Sequence, residues 1–284
     1  MDKTTYFYPN KTLRLGDNLL DLSTPAVMGI LNVTPDSFFD GGNYSEIDAA
    51  LRQTERLISE GADIIDIGGM STKPGAKSIL PEEELLRVIP VIRAIRKEFE
   101  NIPLSIDTVY GKVAMESINE GANMINDVSA GNADPEILSV ASKANVPYVL
   151  MHMQGSPETM QIEPQYEDVT KEVFNFFIEK TQKLNALGIA DIIIDPGFGF
   201  GKSIEHNYRL AKNLDLFKQI GLPVMVGISR KSMICKALHV NPEKALNGST
   251  ALHAVLILKG ADILRVHDVK EAKEVIKIVA HLAL

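Results

Sequence analysis

The sequence predicts an α/β protein built as a (β/α)₈ (TIM) barrel with an N-terminal β-hairpin or flap. Two observations point there. Eight short runs rich in Ile, Val, Leu or Met alternate with helix-patterned segments, and near-continuous apolar runs of this length suit parallel strands buried on both faces. The phrases "EGADIID", "EGANMIND" and "KGADILRVH" repeat one grammar of helix end, glycine stop, small residue and strand. Eight such units in one chain indicate a barrel. A doubly wound open sheet is the alternative, and periodicity alone does not separate the two.

The elements follow in order. The leading "YFYPNKTLRLGDNLLDL" reads as a hairpin over the N-terminal mouth of the barrel. One domain, 1–284, is expected, with the hairpin in 1–25 and the barrel in 26–284. The apolar runs are "AVMGILN", "ADIIDIG", "PLSIDT", "NMINDV", "PYVLMH", "DIIIDPG", "PVMVGIS" and "DILRVH". Between them, "AALRQTERLISEG" ends at Gly61 and "GKVAMESINEG" at Gly121, each on a glycine stop. "PEEELLRVIPVIRAIRKEFE" opens with Pro81 and three acids, a helix-start signature. "DPEILSVASKANV" offers Asp134 as N-cap and Pro135 at the first helical position. "EDVTKEVFNFFIEKTQKLNALG", "NPEKALNGSTALHAVLILKG" and "VKEAKEVIKIVAHLAL" supply the remaining helices.

The 284 residues suffice for one large α/β domain, and 45% hydrophobic with 23% charged residues is ordinary for a globular protein. A net charge of −8 without a basic run argues against a nucleic-acid partner, but a few cations in a cleft suffice for one small anion. Cys235 is the only cysteine, so a reducing compartment is expected. No apolar run reaches the roughly 20 residues that span a bilayer, and the start "MDKTTYFYPN" lacks a signal-peptide core. The expectation is a cytoplasmic protein without membrane contact.

Each apolar run ends in a polar group or a glycine turn: Asn32, Asp66, Asp107, Asn126 with Asp127, His152, Asp195, Ser229 with Arg230 and Lys231, and Arg265 with His267. In a barrel these positions meet at the C-terminal face, where such folds carry their sites. Any one could merely cap a helix; eight together argue for a site, because burying them unpaired is costly. Asp107 and Asp195 suit the paired N–H groups of a guanidine-like ring edge, and Asn126 can both donate and accept. Asp66 and Asp127 are candidate supports. Arg265 and His267, spaced i, i+2, are expected on one side of the last strand, as suits a diphosphate. "GFGFGKS" resembles a P-loop but fails its spacing at Pro196. Its glycines are expected to let the backbone approach a ligand, with Phe198 and Phe200 as walls. His152 between two methionines reads as pocket lining. His206, His239, His253 and His281 form no ligand-spaced cluster.

The motifs "GILNVTPDSFFDGG", "IIDIGGMSTKPGA", "SIDT", "INDVSAG", "LMHMQGSPETMQ", "DPGFGFGK", "GISRKSMI" and "LRVHDV" together resemble the dihydropteroate synthase family of pterin-binding barrels. The resemblance runs from Ala26 to the C-terminus. It implies a folate-pathway transferase that joins 4-aminobenzoate to a (7,8-dihydropterin-6-yl)methyl diphosphate, and a target of sulfonamides. It implies pterin contacts from Asp107, Asn126, Met151, Asp195, Gly227 and Lys231. Asn32, Thr72, Arg265 and His267 would bind diphosphate, with Asn32 also a ligand of Mg²⁺. Thr72, Lys73, Pro74, Phe200, Lys231 and Ser232 would surround the aminobenzoate. Asp107, Lys231, Arg265 and His267 would carry the chemistry, and the family implies a homodimer.

The sequence departs from the family at Met70, where Glu is common, and at Lys73, where Arg is common. Lys keeps the charge but not the bidentate fork, so altered handling of the aminobenzoate or diphosphate is expected. "TPDSFFDGG" is a candidate lid. Two other functions compete: a pterin-dependent methyltransferase on the same barrel, and a pterin-binding protein without catalysis.

Overall fold

The computed structural model describes residues 12–34, 43–71, 75, 78–155, 160 and 164–282. Among them, β1 (Thr12–Leu15) and β2 (Asn18–Asp21) form an antiparallel hairpin. A βα alternation follows: β3 (Ala26–Asn32), α1 (Asn43–Ser59), β4 (Ile64–Gly68), α2 (Pro81–Glu98), β5 (Leu104–Asp107), α3 (Gly111–Asn119), β6 (Met124–Asp127) and α4 (Glu136–Ala144). It continues through β7 (Tyr148–Met151), α5 (Val169–Ala186), β8 (Ile192–Asp195), α6 (Ile204–Lys212), β9 (Met225–Val226), α7 (Ser232–Leu238), α8 (Leu246–Leu258), β10 (Ile263–Val266) and α9 (Val269–Ala280).

The eight strands from β3 onward pair in parallel in the order β8-β7-β6-β5-β4-β3-β10-β9. A bridge between Ile194 and Val224 joins the two ends and closes the barrel. The open-sheet alternative is thereby excluded.

Local differences from the sequence reading have simple causes. The seventh run pairs over only Met225 and Val226. "NPEKALNGSTALHAVLILKG" splits into a 3-10 turn at Pro242–Lys244 and α8, because the 3-10 turn ends at Ala245 before α8 begins. The short segments after β8 and β9 fold into α6 and α7, nine and seven residues long, which the sequence reading passed over. Asp134 caps from one residue further out than expected: its carboxylate accepts from the amides of Glu136 and, across to the neighbouring helix, Gly111.

Strand periodicity sorts the interior into layers. Ile64, Met124, Val149, Ile193 and Ile263 point into the barrel, packed with Leu13, Leu15 and Leu22 of the hairpin region. The hairpin therefore closes the N-terminal mouth. Two residues further along the same strands stand Asp66, Asn126, Met151, Asp195 and Arg265, so the same parity lifts these side chains to the C-terminal end. The alternate residues Ile65, Ile125, Leu150, Ile194 and Leu264 face outward into the core under the helices.

Candidate functional site

The C-terminal mouth is a ring of buried charge beside an apolar cluster. Met70, Val109, Val128, Met151, Met160 and Phe200 make the cluster. Adjacent strands set Gly68 beside Asp107 and Asp107 beside Asn126, and Met151 beside Asp195.

Arg265 is the hub. Its Nε donates to Asp66 Oδ2 at 2.7 Å and its Nη2 to Asp107 Oδ2 at 2.6 Å. Asn126 Nδ2 donates to the same Asp66 oxygen at 3.0 Å, while the other Asp66 oxygen is buried without a hydrogen-bond partner. The two carboxylates drive the Arg265 pKa up, against the opposing effect of its own burial. Burial pushes Asp107 upward, and Arg265 pulls it back.

Asp195 and Lys231 face each other from β8 and the start of α7. Burial raises the Asp195 pKa, and Lys231 opposes the rise. Burial brings Lys231 down to about 8, and Asp195 opposes the fall. Lys231 Nζ donates to the carbonyl of Phe198 and lies 4.4 Å from the centroid of the Phe200 ring. A Cβ added to Gly227 would lie 4.0 Å from Lys231 Nζ and from Arg265 Cδ, so this glycine lines the gap between the two cations.

Other expected residues separate. Asp66 points into the site, but Asp127 has the opposite parity and faces out, accepting from Tyr148 Oη at 2.6 Å and from the amides of Ser129 and Gly131. Phe198 is fully buried in the outer core and forms no wall; Phe200 alone does. His267 lies just past the end of β10 at Val266, and its Nδ1 lies 3.2 Å from Ser229 Oγ. Arg230, in the left-handed region at φ 56°, turns its guanidinium onto Asp268, and the reversal aims Lys231 at the mouth. Asn32 ends β3 exposed, and Ser232 starts α7 exposed. His152 is not pocket lining. It is buried beside Lys202 with its ring edge-to-face on Phe176. Thr72, Lys73 and Pro74, and the "PDSFFDGG" part of the candidate lid, lie outside the described residues.

A family model described as pterin binding enzyme matches residues 28–267. The chain belongs to the pterin binding enzymes. It is 48% identical over 262 residues to the dihydropteroate synthase of Escherichia coli (strain K12), covering 92% of each chain. The Yersinia pestis dihydropteroate synthase, solved with a sulfonamide drug, superposes with a TM-score of 0.90 at 45% identity, over 96% of this chain and 99% of that one. The Xanthomonas albilineans dihydropteroate synthase, solved with 4-aminobenzoic acid, gives a TM-score of 0.90 at 41% identity, over 96% and 98%.

Two residues of this pterin binding enzyme escaped the sequence reading. Glu84 is the third acid at the start of α2, yet it is fully buried beside the site and accepts from Thr108 Oγ1 at 3.1 Å. Burial raises its pKa to about 8. The signal was present: Glu84, Val88, Ile92 and Ile95 share one helix face. Lys202 is 2% exposed and follows the glycine-rich turn. No spacing rule marks it, because its partners are backbone carbonyls.

Proposed function

We propose that the chain condenses a (7,8-dihydropterin-6-yl)methyl diphosphate with 4-aminobenzoate, giving 7,8-dihydropteroate and diphosphate, as a dihydropteroate synthase. One observation carries this reading. Asp107, Asn126, Asp195, Lys231 and Arg265 converge beside one apolar cluster at the C-terminal mouth, and the family to which the chain belongs binds pterins.

The Asp195 and Asn126 side chains suit the donor and acceptor edge of a pterin, with Met151 and Phe200 against its faces. Cleavage of the C–O bond leaves its electron pair on the diphosphate and a cation on the pterin methylene. Asp107 stabilises that cation, and Arg265 and His267 receive the departing charge. The aminobenzoate nitrogen then attacks the methylene carbon and sheds a proton. The arylamine is a weak nucleophile, so orientation by Lys231, Phe200 and Ser232, together with Thr72, Lys73 and Pro74, dominates over general-base strength.

The same reading includes Mg²⁺. Asn32 presents a neutral oxygen at the rim, with Oδ1 3.7 Å from a Cβ placed on Gly68. A Mg²⁺ that keeps waters and shares diphosphate oxygens needs few protein ligands, so a single amide oxygen fits. The bound ion would neutralise charge on the leaving group. The reading also includes a homodimer: Val255, Leu258 and Ile278 expose 45%, 60% and 66% of their surface on α8 and α9, and sedimentation at micromolar concentration checks it.

Diphosphate release that requires both substrates is the expected result. A methyltransferase or a silent pterin-binding protein releases none. Asp195→Ala should abolish pterin binding in calorimetry, and unchanged affinity would overturn the pocket assignment.

A further inference from the structure

Resting on that reading, we propose that Lys202 is a positioning residue of the pterin site, whose buried ammonium fastens the loop after β8 to the loop after β7 and thereby sets the place of Lys231 and Phe200. Its Nζ lies 3.0 Å from Gly197 O, 2.9 Å from Phe200 O, 3.1 Å from His152 O and 3.0 Å from His152 Nδ1. Three backbone carbonyls from two loops and one imidazole thus turn toward a single cation.

The loop cannot hold this shape by apolar packing alone, because it presents its carbonyls inward. Gly197 and Gly201 sit at φ 69° and 62°, and a Cβ on them would lie 2.0 Å from His152 O and 2.3 Å from Gln154 O. The two loops are therefore in backbone contact, and the acceptors this contact buries need a donor. Lys202 supplies it. The carbonyl of Phe198, between the inward-turned carbonyls of Gly197 and Phe200, accepts from Lys231 instead. The turn is gripped from behind by Lys202 and from the site by Lys231. Releasing the rear grip frees the Phe198 carbonyl and the Phe200 ring, and with them the ammonium proposed to touch the pterin.

The acceptors also define charge states. Burial brings the Lys202 pKa down to about 7, with Asp195 opposing the fall; the ring of acceptors favours the ammonium with its three N–H donors, and the imidazole then leaves Nδ1 bare. Burial and the neighbouring Lys202 lower the His152 pKa to about 3, consistent with a neutral ring.

The test measures pterin diphosphate affinity by calorimetry, with Asp195→Ala run alongside. Lys202→Met is expected to weaken binding by about tenfold or more, the scale of a few lost charged hydrogen bonds. In Lys202→Ala, added propylamine is expected to recover part of the loss, which a general loss of stability would not allow. Affinity within about twofold of wild type in Lys202→Met, while Asp195→Ala no longer binds, overturns the proposal and leaves the pocket assignment standing. If Lys202→Met does not fold, Lys202→Arg decides: its planar fork cannot place one nitrogen among all four acceptors, and unchanged affinity there overturns the proposal equally.

Discussion

Arg265 Nη2 stands 2.6 Å from Asp107 Oδ2, an ion pair that spans the barrel mouth between strands that are not neighbours. The same guanidinium holds Asp66 through Nε, so one planar fork serves two carboxylates. Lysine cannot do this from one nitrogen at fixed geometry. Arg265→Lys is expected to lower kcat/KM for the pterin diphosphate by about a hundredfold. Arg265→Ala, which leaves two buried carboxylates without their cation, is expected to cost about 3–5 kcal/mol in denaturant unfolding.

Glu84 gives a pH signature. Its folded pKa, about 8, lies above the ordinary carboxylate value because burial disfavours the charged form. The folded state therefore holds a proton that the unfolded state has lost between those two values. The stabilisation is complete below the unfolded pKa and falls away as pH rises toward 8. Glu84→Gln removes this dependence. Its unfolding free energy is expected to exceed wild type at pH 8, by about 1 kcal/mol or more, with the gap closing toward pH 5. Parallel curves for the two proteins would refute the assignment.

The glycine-rich turn should tolerate no side chain where it meets the neighbouring loop. Gly197→Ala places a Cβ 2.0 Å from His152 O at a left-handed φ. A loss of about 3 kcal/mol is expected from the combined clash and strain, together with weaker pterin binding. Thermal unfolding and calorimetry on the same sample check both.

Asn32→Ala is expected to raise the Mg²⁺ concentration needed for half-maximal binding of the pterin diphosphate by about tenfold. Affinity for a pterin lacking the diphosphate should stay the same. Equal shifts for both ligands would place Asn32 at the ring instead of the leaving group.

Lys73→Arg restores the residue common in the family. It is expected to lower the KM for aminobenzoate or for the diphosphate substrate, or to shift the inhibition constants of sulfonamides. Steady-state kinetics with all three unchanged would show that the substitution has no catalytic consequence.

Much of this was legible in the sequence, because strand periodicity does two jobs in a barrel. Counting by two from Ile64, Met124, Ile193 and Ile263 reaches Asp66, Asn126, Asp195 and Arg265, so both layer and site follow from the pattern. The same count correctly applied would have sent Asp127 outward. What stayed hidden depends on contacts that leave no periodic trace. Lys202 binds carbonyls, which every residue has. Arg230 looked like a companion to Lys231 until its left-handed backbone turned it onto Asp268. α6 carries its start signal in the Ser203 cap with His206 reaching back, and α7 is a single seven-residue stretch, too short to show a period.

Leu13, Leu15 and Leu22, packed against the barrel's lower layer, have a kinetic meaning as well as a structural one. A vessel stoppered at its base has a single doorway. Everything that enters must come back out the same way, past whatever occupies the rim. A ring seated beside Met151 would share that doorway with any partner bound nearer the rim. The packed interior of the barrel, with those leucines beneath it, leaves the rim as the way in and out.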